Sequence, residues 1–193
     1  MGLWGISDAD ESKPKWLTTA EKKNVYATAS GWVEEAGNRT SGNNNTNAQP
    51  EVLACVNALS TGLGAADLTG VELVTTEWKV DEGGTLTTLV RWNEPVDVVE
   101  TGSGLKMNVE NDSRANLTLR YASGTGTNEL TFTLVIAAAN SAIQAGDVLS
   151  IPEEDLVKAG ATSVKDAGTS TVSEVSITAA QGTAAGTVTA TAS

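Results

Sequence analysis

From Val71 onward the chain alternates apolar and polar residues in short runs separated by Gly, Asn, Asp or Pro: VELVTTEWKV, GTLTTLVRWN, GLKMNVEN, ANLTLRYAS, NELTFTLVIA, DVLSIP and TVSEVSITAA. Alternation with a period of two puts successive side chains on opposite faces of a strand, so each run predicts a strand with one buried face. In ANLTLRYAS, Leu117, Leu119 and Tyr121 share a face opposite Thr118 and Arg120, and Leu130, Phe132 and Leu134 repeat the pattern in the next run. The SGTGTN segment between them predicts the hairpin turn that pairs the two. Short strands at this spacing predict an all-β fold, a β-sandwich. EEDLVKAG reads as one short helical turn ended by Gly160.

The first 70 residues follow a different pattern. KNVYATASGWV predicts a hairpin around Ser30-Gly31, and GNRTSGNNNTNAQP an exposed loop, since it holds almost nothing able to pack. EVLACVNALS is either a strand pairing back onto Tyr26 to Val33 or a short helix; its length, Pro50 and the Gly-rich segment after it favour the strand. The tail AAQGTAAGTVTATAS has small side chains throughout and reads as an edge strand at Thr187 to Thr189 or as disorder. The expected organisation is an N-terminal arm and hairpin over 1–69, a sandwich over 70–180 and a low-complexity tail over 181–193.

Charge narrows the function. The net charge is −12, and of the 12 Lys/Arg and 24 Asp/Glu, residues 1–49 hold five and six, leaving seven and 18 for the rest. An acidic body without clustered cations is a poor nucleic-acid binder, because gripping phosphates requires Lys/Arg to displace counterions. The chain contains no histidine, which excludes Ser-His-Asp and Cys-His catalysis and His-ligated metals. Cys55 is the single cysteine and is expected as a small buried residue. No GxxxxGK[ST] loop and no calcium-binding loop motif occurs. Glu94, Asp97, Asp81 and Glu82 fall near strand ends, but without a pocket or an aromatic sugar platform such carboxylates do not make a glycosidase. No run reaches the length of a membrane span, and no secretion signal is visible, so synthesis in the cytoplasm is expected. No cofactor or metal is implied.

Tryptophan supplies the positive clue. Three of the five, Trp4, Trp16 and Trp32, fall in the first 32 residues, beside Lys13, Pro14, Lys15, Leu17 and Tyr26. Trp78 and Trp92 lie in predicted strands and are expected in the sandwich. Ordering a free arm of this length costs tens of kcal/mol at about 1–2 per residue, and burying three indoles offsets roughly 15. The remainder has to come from strand pairing, from packing on the body or from a partner that shelters the rings; a small N-terminal core of the three Trp with Tyr26, Val33, Leu53 and Val56 is the competing reading.

Two stretches resemble known proteins. VRWNEPVDVV, LTLRYASGTGTNELTFTLVI and AGDVLSIPEEDLVKAGATSVKDAG are similar to Ig-like β-sandwich modules of bacterial surface proteins and adhesins, through Glu94, Pro95, Val96, Tyr121, Ser123, Gly124, Gly126, Leu130, Phe132, Gly146, Asp147 and Asp166. WGISDADESKPKWLTTAEKKNVYATASGWV resembles the opening of tailed-phage capsid decoration, or cement, proteins, through Trp4, Lys13, Pro14, Lys15, Trp16, Leu17, Tyr26, Gly31, Trp32 and Val33. The pairing implies an Ig-like sandwich behind an extended arm, in a non-enzymatic protein of the virion surface. Its implied partners are the major capsid protein and neighbouring copies of itself, with no nucleic acid or membrane. Docking is expected through Trp4, Lys13, Pro14, Lys15, Trp16, Leu17, Tyr26 and Trp32, so deleting residues 1–35 should leave a folded module unable to bind shells. A tail or fibre accessory and a surface adhesion or carbohydrate-binding module are the alternatives.

Overall fold

The computed structural model describes residues 13–37, 45–102 and 104–192. Strands hold 47% of the chain and helices 8%, which places it in the all-β class. The N-terminal part contains the short helix α1 (Thr19–Lys22), the hairpin β1 (Val25–Thr28) and β2 (Gly31–Glu34), and β3 (Glu51–Cys55), in a three-stranded antiparallel sheet of order β1-β2-β3. The EVLACVNALS segment is a strand in its first half and enters α2 (Leu59–Gly62) in its second. Gly31 makes this sheet possible: at φ +134 a Cβ would lie 2.0 Å from the Ala54 carbonyl oxygen on β3.

The body is a curled sheet built around one long strand. The VELVTTEWKV run is split between β4 (Leu68–Leu73) and β5 (Trp78–Lys79), and β6 runs for 16 residues from Gly84 to Val99, carrying the expected GTLTTLVRWN strand on through EPVDVV. It continues past Pro95 because the pairing register shifts between Arg91 and Val96, where a residue lacking an N–H is tolerated. Next come β7 (Leu105–Asn111), β8 (Leu117–Ser123) and β9 (Thr127–Ile136), then β10 (Val148–Ser150). The hairpin β8–β9 sets Tyr121 against Phe132, edge to face with ring centroids 6.2 Å apart, and the Tyr121 hydroxyl accepts the Thr125 N–H inside the turn.

EEDLVKAG is not the expected helical turn. It forms β11 (Glu154–Asp155) and β12 (Val157–Lys158), because the Glu154 carboxylate accepts the backbone and side-chain N–H groups of Asn108, β12 pairs with Leu105 and Lys106, and Leu156 is buried. Those tertiary partners outweigh a weak local preference. Beyond β13 (Ser163–Asp166), the TVSEVSITAA run is not the expected strand: it holds strand geometry only in β14 (Ser176–Ile177) and ends in α3 (Ala179–Ala184), because Thr178 and Gln181 form a capping box that starts a helix. The final strand β15 (Thr187–Thr191) runs antiparallel to β10 and parallel to β5, with Val188 and Ala190 buried.

The main sheet follows the order β13-β6-β9-β8-β7-β10-β15-β5, with β4 also on β6 and β12 also on β7. Its inner face encloses Trp92, Phe132, Leu86, Met107, Leu119 and Leu130. Trp78 and Trp92 lie in this core, and the Trp92 Nε1–H donates to the Glu174 carbonyl at 2.8 Å. Cys55 is exposed, contrary to the expected burial: β3 lays Leu53 and Ala54 on the small N-terminal core, and Cys55 ends the strand facing outward.

The β8–β9 turn provides a test. Gly124 has φ +117, and a Cβ there would sit 2.1 Å from the Glu129 carbonyl oxygen, whereas Gly70 has open space and no positive φ. Gly124→Ala is expected to cost about 2 kcal/mol or more through backbone strain and displacement of the ladder. Gly70→Ala should fall near zero; urea midpoints of the two variants measure the contrast.

Candidate functional site

The residues around Trp16 form a braced turn. The Pro14 carbonyl accepts the Leu17 N–H at 3.2 Å, so Lys15 and Trp16 occupy the tip of a tight turn. Directly after it, Thr18 caps α1: its Oγ1 accepts the Glu21 N–H at 3.3 Å, and Glu21 Oε2 accepts the Thr18 N–H at 2.6 Å. The Lys13 Nζ donates to the Lys22 carbonyl at 2.9 Å, which straps the start of the turn to the last residue of α1. A cation at a helix C-terminus is also favoured by the peptide dipoles. Lys13 and Pro14 are buried, Leu17 is half-buried, and Lys15 and Trp16 face outward, Trp16 with 65% of its surface exposed.

Behind the turn lies a small separate core. Trp32 has no exposed surface; it packs with Val25, Ala27, Leu59 and Leu63, and Leu17, Leu53, Ala54 and Val56 close around them. Leu17 therefore ties the Trp16 turn to the same cluster that Trp32 fills. The Trp32 Nε1–H has no hydrogen-bond partner among the described residues, which makes this core less favourable than its apolar area suggests. Tyr26 is half-buried, with its hydroxyl pKa pushed up by burial and by the nearby Glu35.

The structure therefore divides the expected docking residues. Lys15 and Trp16 are displayed together, whereas Lys13, Pro14 and Trp32 are interior and build the support rather than a contact surface. Trp32 cannot serve as a docking ring in this fold because its indole is the centre of the N-terminal core. Leu17 and Tyr26 are intermediate, and Trp4 lies outside the described residues. The signal for the brace was present in the sequence as Thr18-x-x-Glu21, the spacing of a capping box.

The N-terminal unit is fastened to the body through polar groups of β6 and β9. Strand β1 packs against β6, and the Asn128 Nδ2–H donates to Glu35 Oε1 at 2.8 Å. Beside it Arg91 pairs with Glu72 at 2.7 Å and with Glu129 at 2.7 Å. Desolvation raises the Glu35 pKa above the usual carboxylate range; the Asn128 bond opposes this, Glu129 and Glu72 add to it, and Arg91 works against it. Nothing in the spacing of Glu35, Glu72, Arg91 and Glu129 along the chain announces this seam.

The other carboxylates singled out from the sequence have structural positions. Glu94 is buried within β6, Asp97 accepts the Gly168 N–H at 3.2 Å, and Glu82 pairs with Lys79 at 3.3 Å in the turn that also contains Asp81. Asp147, in the AGD turn, accepts from Asn111, Arg114 and the Gln144 N–H, and the Asn111 amide above all holds its carboxyl below the usual range. Among the described residues no group of three or more His, Cys, Asp or Glu is placed to hold a metal, and no helix is long and apolar enough to cross a membrane. Comparison with protein-family models, curated proteins and solved structures gave no match to this chain.

Because folded Glu35 holds its proton more tightly than the unfolded chain does, its contribution is full below the ordinary glutamate value of about 4.3 and is lost as pH rises through the raised one. Glu35→Gln keeps an acceptor for Asn128 and removes the charge. The variant is expected to equal or exceed the wild type in stability at neutral pH and to lose less stability between about pH 4 and pH 7, as read by thermal unfolding at several pH values.

Proposed function

We propose that this protein is a non-enzymatic structural component of a tailed-phage virion that binds the outer surface of the capsid and reinforces it. The major capsid protein is the partner in this reading, and the β-module behind the docking turn is taken as Ig-like. The observation that carries the proposal is Trp16, held outward on a hydrogen-bonded turn beside Lys15 while Trp32, Trp78 and Trp92 are buried. A large aromatic on a rigid support, flanked by a cation, has the character of an interface anchor, because it presents much apolar area with little left to order on binding. With Lys13 buried, Lys15, Lys22 and Lys23 against Glu21 leave this segment a net charge of +2 toward solvent in a chain of −12, which suits a partner surface carrying carboxylates.

The docking surface in this proposal is narrower than the whole N-terminal region. Residues 1–35 include Trp32 and the Glu35 contact to Asn128, so removing them also uncovers β6; point changes at the exposed turn make the cleaner test. Trp16→Ala is expected to weaken binding to capsid shells about thirty-fold, and Lys15→Glu to weaken it in a salt-dependent manner, both with unchanged unfolding temperatures. Co-sedimentation with shells reads the effect. Mass spectrometry of purified particles gives the location: a copy number comparable to the major capsid protein supports the proposal, a few copies place the protein on the tail, and absence from particles overturns it.

A further inference from the structure

Three clefts on the described surface differ in charge. One, of about 200 Å3, is lined by Lys23 and by Arg91, whose guanidinium is already taken by Glu72 and Glu129. A second, of about 170 Å3, lies beside Trp78, where Lys79 already pairs with Glu82. The third, of about 350 Å3, runs between the segment after β10 and α3; Ile151, Pro152 and Ala179 line it together with Glu110 and Glu153. Its walls stand close because α3 places Gly182 against the segment after β10, where a Cβ would lie 2.4 Å from the Ile151 carbonyl oxygen. Glu110 and Glu153 are exposed, and neither has an ion-pair partner among the described residues.

We propose that this groove receives the Lys15–Trp16 turn of a second copy of the chain. The argument is charge and size. The exposed turn presents an indole next to an ammonium group, and the groove presents Ile151, Pro152 and Ala179 among hydroxyl side chains, next to two unpaired carboxylates. Of the three clefts it alone falls in the range of about 300–1,000 Å3 typical of sites that enclose a ligand group, and an indole buries about 200 Å2. Turn and groove are different surfaces of the molecule, so the contact is head-to-tail, and repetition yields a ring or an open chain rather than a two-fold dimer. The inference rests on the reading of the Trp16 turn as a docking surface and gives that turn a second occupant, a neighbouring copy.

Sedimentation velocity of the full chain, over micromolar to millimolar concentration, tests it. The wild type is expected to associate with rising concentration, and less so when salt is raised from about 0.1 M to about 1 M. Trp16→Ala should weaken association about thirty-fold. Lys15→Glu and Glu153→Lys should each weaken it about ten-fold or more, and the double variant Lys15→Glu/Glu153→Lys should recover self-association because the charges are exchanged within the same contact. A monomeric wild type, or a double variant as weak as the singles, overturns the proposal. Capsid binding is read separately on the same proteins: Glu153→Lys is expected to keep shell binding while losing self-association. Loss of shell binding by Trp16→Ala with self-association intact would overturn the groove assignment and leave the docking surface on the shell in place.

Discussion

A strand of 16 residues inside a folded protein has two edges of backbone donors and acceptors that must all be met, and β6 meets them by recruiting most of the chain. Strand β9 covers one edge from Gly84 to Arg91 and resumes at Val96, while β4 and then β13 share the other edge. Where the ladder is interrupted, Asn93 supplies the missing partners: its side-chain carbonyl accepts the Asp67 N–H at 2.8 Å, and its own N–H donates to the Asp67 carbonyl at 3.0 Å. The adjacent Trp92 is fixed at both ends, by its pairing with Leu68 and by its indole bond to Glu174. The entry to β4 and the segment before β14 are thereby tied to β6, and the curl of the sheet follows from satisfying this one strand.

That dependence explains which parts of the fold the sequence made legible. Strands whose alternation is strong, such as β7, β8 and β9, could be read residue by residue, and Leu117, Leu119, Leu130 and Phe132 are buried on the expected face. Segments whose conformation is set by distant partners could not. The Glu154 carboxylate is held by Asn108, 46 positions away, and no local pattern distinguishes that arrangement from a helical turn. The closing segment, rich in Ala, Gly and Thr, carries little propensity of its own, yet it lies between β10 and β5 with Val188 and Ala190 buried in the main core. In contrast, both short helices preceded by Thr had capping boxes visible in the sequence, at Thr18 with Glu21 and at Thr178 with Gln181.

The proposed docking region was legible in its residue types and not in their orientation. Trp16 and Trp32 look alike in sequence, each at the edge of a turn. Their difference is tertiary. Trp32 follows Gly31, whose unusual backbone lets β3 approach, so its ring falls beneath β3 among Val25, Leu59 and Leu63. Trp16 follows Pro14 and Lys15 at the tip of a turn whose underside is taken by Lys13 and Leu17, so its ring has no interior to enter. The lysines divide in the same way, since Lys13 spends its charge on the end of α1 while Lys15 remains at the surface.

This division alters the energetics expected of the region. A free arm would have to be ordered on docking at about 1–2 kcal/mol per residue, a penalty that indole burial alone does not cover. Residues 13–37 are held in place before any partner arrives, because Trp32 and its neighbours supply the apolar burial and Glu35 with Asn128 supplies a polar fastening to the body. A partner engaging Trp16 then meets a ring on a fixed turn, and the entropy left to lose is mainly that of the Lys15 and Trp16 side chains, of order 0.5–1.5 kcal/mol each. The buried tryptophan thus acts on the exposed one through the backbone between them: the interior residue lowers the cost of presenting the surface residue, and the concentration of aromatic residues near the start of the chain combines a support with an anchor.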